Sequence, residues 1–173
     1  MTIHPGHPFA QPEDARDQVR RLRGRLGGAV SLWTSGTGAA RAGLTVSSVM
    51  IAAGEPGRVL GLIDPDSALV DTLAQTHTAV VALLEWPHRN LADAFAGVAP
   101  APGGLFAQAA FAETAWGPLL EGVRTWAGVR VEEVREVGWS QLVTATIEQV
   151  SIGPEERPLE HRRGRYQEPT AHK

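Results

Sequence analysis

The chain has 173 residues, 43% of them hydrophobic and 20% charged, a length and balance that imply one globular domain and exclude a multidomain machine or a disordered chain. Its 16 basic and 19 acidic residues leave a net charge of −3, which argues against binding nucleic acid by neutralising many phosphates. Cysteine is absent and Lys173 is the sole lysine, so thiolate nucleophiles, disulfides, cysteine-based metal sites, Schiff bases and phosphate-loop lysines drop out.

Residues 1–12 hold three Pro and two His around little apolar material and read as a mobile arm. They lack a basic-then-apolar leader. The longest aliphatic run, Ala79 to Leu84, is six residues against the roughly 20 of a membrane span, so the expectation is a soluble, cytoplasmic protein. From Glu13 to Leu26 the acids come early and Arg20, Arg21, Arg23 and Arg25 late, the order a helix dipole favours. Val19, Leu22 and Leu26 are spaced for one buried stripe. The arginine run is read first as a solvated helix face and second as a phosphate-binding patch.

Gly27 and Gly28 end that helix. AVSLWTS, LTVSSVMIAA and RVLGLID are then short, β-branched and separated by Gly- or Pro-containing turns, the marks of three strands. Asp64-Pro65-Asp66-Ser67 offers caps for a helix over roughly 66–76, and HTAVVALLE is a continuous apolar strand buried on both faces. LADAFAG predicts a second short helix that Gly97 terminates. The segment from Gly104 to Leu120 is weakly patterned, with room for a turn of helix. Alternation from Val123 to Val131 and again from Leu142 to Ile152 predicts a long hairpin turning near Glu136 to Gly138. The segment from Pro158 on, rich in Arg and Glu, is expected to cover an edge. Six strands without regular strand–helix alternation point to a mainly β fold, a six-stranded antiparallel barrel with short peripheral helices.

Motifs narrow the chemistry further. Six His include no pair at i, i+4 and no HExxH, so no metal site is expected. There is no G-x-S-x-G elbow, and Gly36-Thr37-Gly38 reads as a hairpin turn, not a dinucleotide fingerprint. Most of the five Trp are expected in the core, with one or two available to stack on a planar ligand. Thr45-Val46-Ser47-Ser48 is a polar island in an apolar strand, with adjacent hydroxyls on opposite faces, and either a bound ligand or neighbouring backbone satisfies them. Asp64 to Ser67 is open to two readings, as a helix cap or as an anion site.

Taken in order, RAGLTVSSVMIAAGEPGRVLGLIDPDSALVDTL, VVALLE, LADAFAG, WGPLL and RGRY resemble the flavin reductase-like family of FMN-binding split β-barrels, from Gly28 to Tyr166. The resemblance implies a homodimer with FMN or FAD in a groove at the subunit interface and NAD(P)H as its reductant. It carries a flavin-ring border over to Thr45, Val46, Ser47 and Ser48, and a ribityl-phosphate neighbourhood to Asp64, Asp66 and Ser67. Arg163 and Tyr166, with Arg165, become additional contacts across the dimer. One domain is expected over 13–166, with a tail at 167–173. One departure stands out: where many members have Gly-Asp-His at the start of the last long strand, associated with the nicotinamide cofactor, this chain has Gly138-Trp139-Ser140. Trp139 stacks on a ring there or fills an apolar gap. The first functional expectation is a flavin reductase, without a covalent nucleophile, that passes reduced flavin to a partner monooxygenase or other acceptor. The second is a module that holds flavin, a deazaflavin or haem without NAD(P)H turnover, and the third is an interaction barrel that has lost its cofactor.

Overall fold

A computed structural model describes residues 13–168, so the expected arm at 1–12 and most of the expected tail lie outside it. Helix α1 (Glu13–Leu26) carries Arg23 and Arg25 in its last turn and ends at Gly27, whose φ of 65° favours glycine. The expected buried stripe does not form. Val19, Leu22 and Leu26 are 70%, 66% and 80% exposed, because α1 is fastened mainly by its C-terminal turn, where the Arg163 N–H donates to the Gly24 carbonyl at 2.8 Å.

The strands that follow are β1 (Gly28–Ala29), β2 (Ser31–Ser35), β3 (Ala42–Val46), β4 (Val49–Ala52) and β5 (Arg58–Ile63). Helix α2 (Ala68–Thr76), β6 (Thr78–Leu83), helix α3 (Arg89–Phe95), β7 (Phe111–Glu113) and β8 (Pro118–Leu120) come next. The chain closes with the long hairpin β9 (Trp126–Val137) and β10 (Ser140–Ser151), then β11 (Glu160–Arg162) and β12 (Arg165–Gln167). The main sheet is antiparallel in the order β3-β2-β6-β9-β10-β5-β4.

That order corrects the expected six strands to seven. LTVSSVMIAA is interrupted at Ser47-Ser48, leaving β3 and β4 on opposite edges of one sheet although two residues join them. The sheet therefore curls back toward itself, and its split falls at this serine pair. The strand ends are tied on either side of it: the Ser31 hydroxyl donates to the carbonyl of its ladder partner Val46 at 2.6 Å, and the Leu62 N–H donates to the Ser48 carbonyl at 3.0 Å, in continuation of the β4–β5 register.

Inside the curl, Trp33, Val59, Ile63, Val129 and Val143 are fully buried with Leu69 and Leu73 of α2, whose spacing sets one face on the sheet. As expected, β6 is buried on both sides, with Ala79, Val80, Val81 and Ala82 at most 4% exposed. A second cluster under α3 gathers Val30, Leu32, Leu84, Phe95, Leu120 and Leu159. Leu159 corrects another expectation, since the C-terminal segment enters the core: its N–H donates to Leu84 and its carbonyl accepts from Val30, both at 2.9 Å. The weakly patterned segment contains a 3-10 turn at Leu105–Ala107 followed by the β7–β8 pair, tied to α3 by edge contact of Phe95 with Phe106 at 5.3 Å. Of the five Trp, Trp33 alone is fully buried. Trp86, Trp116 and Trp126 are half-buried, and Trp139 at the β9–β10 turn is 48% exposed. No helix among the described residues is long and apolar enough to cross a membrane.

Candidate functional site

The site begins with the support under the serine pair. Ser31 is fully buried between two partners, accepting from the Trp33 indole N–H at 3.1 Å while donating to Val46. Gly61 on β5 lets the Trp33 ring approach that strand closely, since a Cβ there would fall 2.7 Å from the indole. Gly28 closes the rear, where a Cβ would come within 3.3 Å of the Ser47 carbonyl. Ser47 and Ser48 are thus held by backbone and core packing, with their own side chains half-buried at the surface.

On the outer face beside them, antiparallel register aligns Met50 with Leu60 and Leu62 with Leu142. Alternation sends Val59, Ile63 and Val143 inward and leaves this apolar set outside, with Met50 65% and Leu62 36% exposed. The opposite wall is α1 with the β11–β12 turn. Between the two walls runs a groove of about 1020 Å³ whose lining includes Ser47 and Ser48. Arg20, Arg21, Arg23, Arg25 and Arg163 supply its charged rim, His161 lies among the lining residues, and no carboxylate lines it among the described residues. Arg23 crosses the groove to donate to the Ser48 hydroxyl at 3.4 Å.

The residues singled out from the sequence separate into four places. Ser47, Ser48 and Arg163 line the groove. Val46 is buried beneath it, and the Thr45 hydroxyl turns to the Ala92 carbonyl at 2.7 Å, tying β3 to α3. Asp64, Asp66 and Ser67 sit between β5 and α2 as a turn satisfied from within. The Asp66 N–H donates to the Asp64 carboxylate at 2.9 Å and the Ser67 hydroxyl to the Asp64 carbonyl at 2.7 Å, so Ser67 occupies the cap position of α2 without a side-chain cap bond. None of the three lines the groove. Tyr166 also lies apart, packed on the second core cluster and edge-on to His161 at 5.8 Å. Burial and a hydrogen bond to Asp93 of α3 push its hydroxyl's pKa well above the ordinary value of 10.

Sequence reading missed Met50, Leu60, Leu62 and Leu142 as site residues. Each looked like ordinary strand apolar content, and the β4–β5–β10 register that aligns them is a long-range fact. The arginines of α1 were visible as a run, but their wall opposite Ser48 was not.

Against known proteins, the model of the flavin reductase like domain matches residues 23–170. A relative in Serratia proteamaculans, "FMN reductase (NADH) RutF", is 28% identical over 132 residues, 76% of this chain and 73% of that protein. Among solved structures, the Streptomyces globisporus NADH:FAD oxidoreductase SgcE6 superposes with a TM-score of 0.82 at 20% identity, over 100% of this chain and 99% of that one. The styrene monooxygenase flavin reductase of Pseudomonas putida S12 gives 0.75 at 22% identity, over 87% and 96%. These two likenesses carry the fold, a curled antiparallel sheet with few short helices, and the matched model spans the groove's lining except Arg20 and Arg21: the chain belongs to the flavin reductase-like family.

Proposed function

We propose that this protein is an NADH-dependent FMN reductase, with residues 13–166 as a single domain that holds flavin in the groove beside Ser47 and Ser48. The observation that carries the reading is the groove's composition: a flat apolar wall of Met50, Leu60, Leu62 and Leu142, two hydroxyls at the strand break, and a cationic rim. A tricyclic ring with polar edges and an anionic tail matches each part. When bound, the flavin supplies the capacity to take hydride from a reduced nicotinamide. The chain's own residues position and shield it: the apolar wall excludes water from one face, and the Ser47-Ser48 segment, fixed from below through Ser31 and Val46, presents hydroxyl and backbone groups at a constant place. No described side chain is needed as a nucleophile.

The name of the Serratia relative supports FMN and NADH as the pair, while FAD and NADPH remain the secondary choices for this chain. A second copy is proposed to cover the exposed Val19, Leu22 and Leu26 and complete the groove as a homodimer. The likeness to a styrene monooxygenase's reductase supports a partner monooxygenase as acceptor of reduced flavin, and the absence of Cys fits a cytoplasmic setting. Gly138-Trp139-Ser140 favours the alternative, a flavin holder without turnover, because the exposed Trp139 replaces an ionisable side chain at that turn. Steady-state oxidation of NADH with free FMN decides between them. Turnover that saturates in both supports the reductase, and flavin binding with no NADH consumption supports the holder.

A further inference from the structure

Sulfur is scarce in this chain, and one atom of it stands on the groove wall. Cysteine is absent and Met1 and Met50 are the two methionines, so Met50 carries the sole sulfur among the described residues. Methionine is ordinarily a buried residue, yet Met50 is 65% exposed. It follows Ser48 by two residues, about 7 Å along the strand and on the same face, with Leu60 as its ladder partner. Both Ser48 and Met50 line the groove, so the thioether belongs to the apolar wall assigned to the flavin ring and is open to solvent unless a ring lies over it.

Dioxygen that takes two electrons and two protons from reduced flavin becomes hydrogen peroxide, and the flavin returns to its oxidised form. Peroxide oxidises a thioether by a balanced step. The sulfur lone pair attacks one peroxide oxygen, the O–O bond breaks, sulfur gives up two electrons to become the sulfoxide, and the other oxygen leaves as water. A thiol would compete for the peroxide, and this chain has none. The sulfoxide is polar, and a flavin ring laid over it would remove its water without returning a hydrogen bond. We infer that Met50 is a peroxide-sensitive modification site whose oxidation weakens flavin binding, so that reduced flavin lost to oxygen slows the groove that produces it. This rests on the flavin reading above and adds its regulation: flavin over Met50 shields the sulfur, and an uncovered Met50 is open to peroxide.

The test treats the full chain and Met50→Leu with hydrogen peroxide in the absence of flavin. Peptide mass spectrometry then locates the added oxygen, and the FMN dissociation constant of each chain is measured before and after. The expected result for the parent is one oxygen on the Met50 peptide and about a tenfold rise in the constant. Met50→Leu has no thioether at that place and should keep its own starting value through the same treatment. Bound FMN should slow the oxidation of Met50, and turnover with FMN and NADH in air, without an acceptor, should mark Met50 as added peroxide does. The proposal is overturned if Met50 takes up no oxygen, if it does so with FMN affinity unchanged, or if Met50→Leu loses as much affinity as the parent. It is also overturned if bound FMN leaves the rate of oxidation unchanged, or if NADH is consumed in air while Met50 stays unmarked. A parent that binds no FMN before treatment defeats the groove reading itself, and one that binds FMN without consuming NADH defeats the reductase reading; either result removes the feedback.

Discussion

Replacing Ser31 with Ala removes one oxygen and reaches both the core and the site. That hydroxyl is the shared partner of the Trp33 indole N–H at 3.1 Å and the Val46 carbonyl at 2.6 Å, and Ser31, Trp33 and Val46 are at most 2% exposed. Water does not reach the groups left behind. An unsatisfied buried donor or acceptor costs about 1–3 kcal/mol, and a carbonyl keeps a second lone pair for other partners, so the expected loss is about 2–4 kcal/mol. For a domain of this size each kcal/mol lowers Tm by about 2–4 °C, which gives a drop of about 5–15 °C by calorimetry. Val46 is the residue before Ser47, so the same variant should bind FMN more weakly even well below its melting temperature. A Tm within about 2 °C of the parent, with unchanged FMN affinity, would refute the idea that this hydroxyl supports the strand break.

Gly61→Ala should destabilise by about 1–3 kcal/mol in denaturant melts, because the new methyl meets the fully buried Trp33 ring and both strands resist moving. Tyr166→Phe should lower stability by about 1 kcal/mol through the lost bond to Asp93, with no change in FMN affinity; a large affinity loss would return Tyr166 to the binding site. His88 supplies a pH dependence. Burial holds its pKa below the ordinary 6.5 and its Nδ1 accepts from the Glu85 N–H at 3.1 Å. Below pH 6.5 the unfolded chain takes up a proton that the folded chain resists, so stability falls as pH falls through that range. Denaturant melts at stepped pH should show this decline in the parent and a flatter profile in His88→Asn.

Local signals in the sequence went far toward the fold. The apolar run at 79–84 and the spacing of Leu69 and Leu73 are dictated by immediate burial, and both segments form as read. The departures lie where long-range geometry decides. Nothing local distinguishes a continuous LTVSSVMIAA from two strands on opposite sheet edges; the break exists because the curled sheet must close there, and Ser31 from another strand supports it. Leu159 is buried by pairing with Val30 and Leu84, distant in sequence, so its charged flanks pointed the wrong way. The stripe on α1 misled in the opposite sense, since the apolar spacing is real but a single chain offers it no cover. At the site, Ser47 and Ser48 were legible as a polar interruption, and Arg163 through the closing RGRY. The apolar wall was not, because Leu60, Leu62 and Leu142 become one surface only through strand register.

The central claim is that flavin binds beside the serine pair and is reduced there. It is tested most directly by an air-free spectral titration of the purified protein with FMN followed by NADH, with the Ser47→Ala, Ser48→Ala double variant alongside. The account predicts perturbed flavin bands near about 450 nm that bleach on adding NADH, and a weaker FMN affinity in the variant. Bands identical to free FMN at several-fold excess flavin, or equal affinity in parent and variant, would contradict it.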